Sequence, residues 1–208
     1  MGKNMLGNMI LVLGNHRSGT SITTEILQGM LGNDFPFPVT RHKEPEELVD
    51  IHTRFFKRHN LEFLDRLYFP DLKPDKELVE DYVSFFARYS KDKCVIKEPV
   101  LAIMDKYMDF HSYMPCVVVK RNPSEMIESL MHNKKFTFEK AKQIVDWNRD
   151  EFEYSRQVNH VFFGKDKELY KKSLKNYLTK YNIPVEWKER IFEEKWDEKM
   201  IQSYKYGK

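Results

Sequence analysis

Two glycines five residues apart, in Gly14-Asn15-His16-Arg17-Ser18-Gly19-Thr20-Ser21, have the G-x4-G spacing that lets a backbone curl around an anion. Five apolar residues, Met9 to Leu13, precede them. A helical pattern follows, with Ile22, Ile26, Leu27 and Met30 on one face. Strand, phosphate-sized loop and helix in that order aim several N–H groups and a helix dipole at one point. An ATP or GTP loop would carry Lys and then Ser or Thr after the second glycine. Here Thr20 stands in the lysine place, and the cation comes earlier, as Arg17. The Mg2+-holding acid on a neighbouring apolar strand is also missing, since the strand Cys116 to Val119 runs into Lys120-Arg121. The bland alternative is a glycine turn without a ligand.

Two further strand ends carry charge. Arg121 closes the run Cys116-Val117-Val118-Val119, and Ser129 lies eight residues on, inside the next helix. Asn122 and Ser129 are seven residues, or two turns, apart, so Ser129 faces the helix start. A guanidinium and a hydroxyl so placed could clamp one phosphate from two sides. Taken alone, an arginine at a strand end is more often a solvated or ion-paired group, and the Gly14 loop is what lifts this one. The third charged end is Lys97-Glu98-Pro99, after Cys94-Val95-Ile96.

The elements that must position these residues alternate. Helices are expected from Pro45 toward Asn60, from about Asp75 to Tyr89, and from about Leu101 to Phe110. Others are expected from Pro123, over Phe138 to Gln157, Asp166 to Tyr181, and Pro184 to about Ile201. His160 to Phe163 is a weak fourth strand. The Phe35 to Val39 stretch, with two prolines, is a loop. Strands alternating with helices imply an α/β fold with a mostly parallel central sheet and helices on both faces. Ligands of such sheets bind outside the carboxyl ends of the strands, so the three charged strand ends should converge on one edge.

The 208 residues suit one domain over 1–208, and 41% hydrophobic and 14% aromatic residues suffice for a core. Both charge signs are interspersed, with a formal net charge of +3, which argues against a dedicated nucleic-acid binder. Cys94 and Cys116 read as reduced core thiols, without metal-ligand spacing. No early apolar run is long enough for a membrane span or a secretory signal, so a cytoplasmic protein is expected. Phe55, Phe56, Phe63, Tyr82, Phe85 and Phe86 recur at helical spacing and read as core, some with access to a substrate pocket. The Lys165 to Lys180 stretch reads as a solvated helical face, and the tail Tyr204 to Lys208 as frayed.

Taken together, these segments resemble the superfamily of sulfotransferases that use 3′-phosphoadenosine 5′-phosphosulfate (PAPS). His16-Arg17-Ser18-Gly19-Thr20-Ser21 is similar to its 5′-phosphosulfate loop, in the arginine form of tyrosylprotein and many bacterial members. Val119-Lys120-Arg121-Asn122-Pro123 with Ser129 is similar to its 3′-phosphate motif, including the spacing of eight. Lys97-Glu98-Pro99 is similar to its Lys-Asp-Pro, with Glu98 for the usual Asp and Val100 where bacterial members often carry Arg. Phe138 to Trp147 resembles a helix common in bacterial members. The motifs span residues 9 to about 147 of a chain short for the family.

The resemblance implies a single-domain, P-loop-like three-layer fold and a metal-independent enzyme, with 3′-phosphoadenosine 5′-phosphate as product. Arg17 would neutralise the 5′-phosphosulfate with backbone N–H groups of Ser18, Gly19, Thr20 and Ser21, beside His16. Arg121 and Ser129 would hold the 3′-phosphate, and Lys97 would reach the sulfuryl or bridging oxygen. An acceptor hydroxyl needs a base within hydrogen-bond reach. Glu44 is the candidate, or else simply decorates a helix start beside Glu46 and Glu47; His42 and Glu98 are in reserve. The acceptor stays open among sugar, phenol, lipid and peptide tyrosine, or an amine. Rival readings are a P-loop kinase or other ATP-dependent phosphotransferase, and a non-catalytic nucleotide-binding module.

Overall fold

The apolar run at the start of the chain forms strand β1, Met9–Leu13, buried along its whole length. In a computed structural model of the protein, residues 8–15, 17–61, 72–154 and 160–205 are described. β1 lies between β2 (Cys94–Lys97) and β3 (Cys116–Arg121), and β3 carries β4 (Val161–Phe163) on its far side. All three pairings are parallel. Parallel strands need covered faces, and β1 shows why its sequence is apolar throughout. Met9, Leu11 and Leu13 enter one core cluster, Ile10 and Val12 the other.

The first cluster is closed by helices α2 (Glu46–Arg58), α3 (Lys76–Tyr89) and α4 (Pro99–Met108). Phe55, Phe56, Tyr82, Phe85 and Phe86 are buried in it as expected, whereas Phe63 lies outside the described residues. Exposed ion pairs, Arg54–Asp81, Arg58–Asp75 and Arg88–Glu47, join α2 to α3 and are weakened by solvent screening. The second cluster is closed by α1 (Thr20–Leu31), α7 (Lys167–Lys180) and α8 (Glu189–Lys205). A smaller apolar cluster joins α5 (Pro123–Lys134) to α6 (Phe138–Tyr154) through Met126, Leu130, Ala141, Ile144 and Val145. The result is an α/β fold with a parallel sheet covered on both faces. Among the described residues no helix is long and apolar enough to cross a membrane.

One amide on each sheet edge is taken by a side chain from a neighbouring helix. The backbone N–H of Val95 donates to Gln28 Oε1 at 2.8 Å, and that of Phe162 to Ser173 Oγ at 3.0 Å. Edge amides satisfied in this way cannot template another strand.

Several boundaries differ from the sequence reading, each for a local reason. α2 begins at Glu46, with Pro45 at the N-cap in a non-helical conformation. α4 begins at Pro99 rather than Leu101, because Glu98 caps it through Val100 N–H and proline suits a first turn. It stops at Met108, and Phe110–Ser112 form a separate 3-10 turn. β3 extends to Arg121, whose register partner is Phe163. Residues 184–188 are irregular, not helical: Val185 N–H turns back to the Ile183 carbonyl at 2.7 Å around Pro184, and Ile183, Val185 and Trp187 pack onto the second cluster. Nor is the Lys165 to Lys180 stretch simply solvated. Lys171 pairs with Glu189 and Glu193, and Lys167 with Glu193 and Asp197, linking α7 to α8. Tyr204 and Lys205 belong to α8, and residues 155–159 and 206–208 lie outside the described residues.

Candidate functional site

The connection leaving β1 leads to β2 on one side, and the one leaving β3 leads to β4 on the other. The carboxyl ends of β1 and β3 therefore border the switch point at which open parallel sheets bind ligands. The Gly14 loop enters this crevice. A Cβ on Gly14 would lie 2.6 Å from the Val119 carbonyl oxygen, 2.7 Å from Ser18 Oγ and 2.8 Å from Thr20 Cγ2, so only glycine fits. Ser18 closes the turn, donating from its N–H and its hydroxyl to the Asn15 carbonyl at 3.1 and 2.7 Å. Arg17 takes a positive φ of 67°, and Gly19, at φ 96°, is the N-cap of α1. Among the described residues no side chain caps the start of α1, so its first-turn amides have no side-chain acceptor there. His16 lies outside the described residues.

Two guanidiniums meet over this loop. Arg17 Nε donates to Ser129 Oγ at 2.8 Å, bridging the loop and α5. Arg121 Nη1 donates to the Arg17 carbonyl at 3.2 Å, and its Nε to Glu125 Oε2 at 2.8 Å. The Arg121 guanidinium also lies over the Phe163 ring, 5.3 Å from its centroid, and that ring packs where a Gly19 side chain would be. The remaining donors of both arginines have no hydrogen-bond partner among the described residues. Burial, and then the nearby Arg121 charge, hold the Arg17 guanidinium below its ordinary value. Two cations held together with spare donors form a site that an anion would stabilise.

A second cluster forms on the β2 side of α1. Lys97 Nζ lies 2.6 Å from Glu44 Oε1, 3.3 Å from Ser21 Oγ and 3.4 Å from the His42 carbonyl. Their side chains are 5% and 17% exposed, so this is a largely desolvated ion pair. A hydrogen-bonded turn from Thr40 to Glu44 delivers the carboxylate, with Thr40 N–H donating to the Glu44 carbonyl at 2.8 Å. Glu98 is turned away from this cluster's chemistry. Its carboxylate caps α4 and sits 2.9 Å from His52 Nδ1, while His52 Nε2 meets Tyr82 Oη at 2.6 Å, all three groups buried. His52 Nδ1 itself makes no hydrogen bond among the described residues. Burial, followed by the Glu98 charge, raises the Tyr82 phenol well above its ordinary range. His42 is exposed and accepts from Arg41 Nε at 3.1 Å.

Beside the arginines a cavity of about 470 Å³ opens between β3, β4 and the α5–α6 pair. Asn15, Ser18, Arg121, Met126, His160 and Phe162 are among its lining residues. Asn15 Oδ1 is buried there without a hydrogen-bond partner among the described residues. No group of three or more His, Cys, Asp or Glu that could hold a metal ion occurs among them either.

The fold thus joins Arg17, Ser18, Gly19, Arg121 and Ser129 in one cleft, and Ser21, Glu44 and Lys97 in another cluster, with Thr20 starting the helix between. Within the cleft Ser129 is engaged by Arg17, a pairing on which the sequence reading was silent. Three participants escaped that reading. Glu125 was signalled by its i, i+4 spacing from Arg121. His52 hid in an apolar helix pattern. Nothing local pointed to Phe163, whose place follows from strand pairing.

No protein-family model matches the chain, and no curated protein matches it. A solved structure, TT1252 from Thermus thermophilus, is similar at 17% identity and a TM-score of 0.44, over 83% of this chain and 96% of that one. That likeness is too distant to bear on fold or activity.

Proposed function

We propose that the protein is a sulfotransferase that uses PAPS as donor. The observation that carries this is the meeting of Arg17 and Arg121, with spare donors, beside Ser129 and the uncapped start of α1. The residues suit a doubly anionic nucleotide. Arg17 and the first-turn amides would hold the 5′ side, and Arg121 with Ser129 the 3′-phosphate, as the motif resemblance implies. The adjoining cavity, with Phe162 and His160 among its lining residues and the Asn15 side-chain Oδ1, which has no partner among the described residues, would take the nucleoside part.

When bound, the donor supplies an activated sulfuryl group whose leaving group is 3′-phosphoadenosine 5′-phosphate. The chain's task is then in-line positioning and charge stabilisation. Lys97, held between Ser21 and Glu44, is the cation for the transferring end. Glu44 would take the proton of an acceptor hydroxyl at its carboxylate, which first requires loosening its pairing with Lys97. The acceptor is a hydroxyl or amine compound whose class the site leaves open, and the reading needs no metal.

Calorimetric titration with 3′-phosphoadenosine 5′-phosphate in EDTA tests this, with Mg-ATP in parallel. Metal-free binding of the bisphosphate, weakened ~100-fold or more by Arg121→Ala, is expected, from the roughly 3 kcal/mol of a charge-assisted pair. Binding of Mg-ATP with none of the bisphosphate would put an ATP-dependent phosphotransferase in its place.

A further inference from the structure

We propose that the Glu125 carboxylate is the built-in counter-ion of the Arg17–Arg121 cleft, and that it competes with the phosphate- or sulfate-type anion the cleft takes. This rests on the reading of that cleft as an anion site. The Arg121 side chain is only 16% exposed, and its one carboxylate partner among the described residues is Glu125, itself 24% exposed, at 2.8 Å. Arg17 adds a second guanidinium, tied to the neutral Ser129 hydroxyl. The pair of cations therefore carries a single internal negative charge.

Glu125 reaches that position from the first turn of α5, where a carboxylate is favoured by the helix dipole. The same end of a helix favours phosphate. An anion arriving at the open arginine donors has two ways to be accommodated. The carboxylate leaves Nε and becomes hydrated, or it stays and repels the newcomer across a few ångströms of partly desolvated space. Either way the carboxylate opposes binding. It keeps two neighbouring guanidiniums compatible in the empty protein, at the expense of affinity for the ligand.

The test is titration of the wild-type protein and Glu125→Gln with inorganic phosphate and with 3′-phosphoadenosine 5′-phosphate. The glutamine variant is expected to bind both roughly 10-fold more tightly, the scale of one partly exposed charge pair. The gain should shrink, to the repulsive part alone, when Glu125→Gln is compared with its parent in an Arg121→Ala background. Equal or weaker binding by Glu125→Gln would overturn the proposal and make Glu125 a strut that positions Arg121. Failure of both proteins to bind inorganic phosphate would overturn it as well. A gain for phosphate with no binding of the bisphosphate would support the counter-ion while removing the sulfotransferase reading. If Glu125→Gln does not fold, Glu125→Asp, which keeps the charge but shortens its reach, should still gain about 3-fold, and no gain would refute the idea.

Discussion

Glu44→Gln should destabilise the protein through Lys97 before it says anything about catalysis. The Lys97 side chain is 5% exposed and the Glu44 side chain 17%, with 2.6 Å between Nζ and Oε1. Breaking a fully buried pair by removing one partner costs about 3–5 kcal/mol, because the other charge is left desolvated. Glutamine keeps the volume and an acceptor oxygen, and Ser21 and the His42 carbonyl remain near Nζ. We therefore expect a loss of about 2–3 kcal/mol. For a chain of this size that corresponds to roughly 4–12 °C in Tm. Lys97→Met should cost less, about 1–2 kcal/mol, because the freed Glu44 carboxylate can turn to water. The double variant should recover most of the loss, with a coupling of roughly 1.5–3 kcal/mol in guanidinium unfolding. A Glu44→Gln protein within ~0.5 kcal/mol of wild type, or strictly additive losses, would refute the description of the pair as desolvated. Activity of Glu44 variants should be compared well below their lowered Tm, so that a lost base is separated from a lost counter-ion.

Gly19→Ala meets both a φ of 96° and a Phe163 ring carbon 2.3 Å from the new Cβ, so a loss above ~2 kcal/mol is expected in denaturant midpoints. A midpoint near wild type would mean that Phe163 does not pack under the loop. Gln28→Ala leaves the Val95 amide without its acceptor in a buried site, for about 1–3 kcal/mol and a more association-prone β2 edge, readable by unfolding and light scattering. Burial pushes the Cys94 thiol from its ordinary 9.0 up to about 12, and raises Cys116 further, in each case ahead of a neighbouring aspartate. Above about pH 9 the unfolded chain releases thiol protons that the native protein keeps. Stability should therefore fall with rising pH by about 1.4 kcal/mol per unit per thiol, up to the folded values. A flat denaturant midpoint between pH 8.5 and 10.5, or rapid alkylation of the native protein at pH 8, would contradict this.

The sequence by itself determined the local pieces. A short, fully apolar β1 ending in glycine is what a strand covered on both faces requires, and Gly14 and Gly19 at their spacing before a helical pattern match a tight loop opening a helix. Pro99 and Pro123 mark first turns because proline fixes φ and needs no N–H donor there. That Arg17, Lys97 and Arg121 end at one sheet edge also followed from strand–helix alternation, which fixes strand direction.

What each charge pairs with was decided only by the tertiary structure. Ser129 faces the cleft as its helical spacing requires, yet whether Arg17 or Arg121 reaches it depends on the loop's positive φ and on the packing of α5. Glu44 meets Lys97 because the Thr40 turn folds back over the β2 end, a closure with no periodic signature. Phe163 sits beneath Gly19 and Arg121 only because β4 pairs with β3 in one register. Spacing along the chain governs contacts within a helical turn or a strand pair. Contacts between residues a hundred positions apart depend on how the layers stack, and partner choice among the charges was settled there.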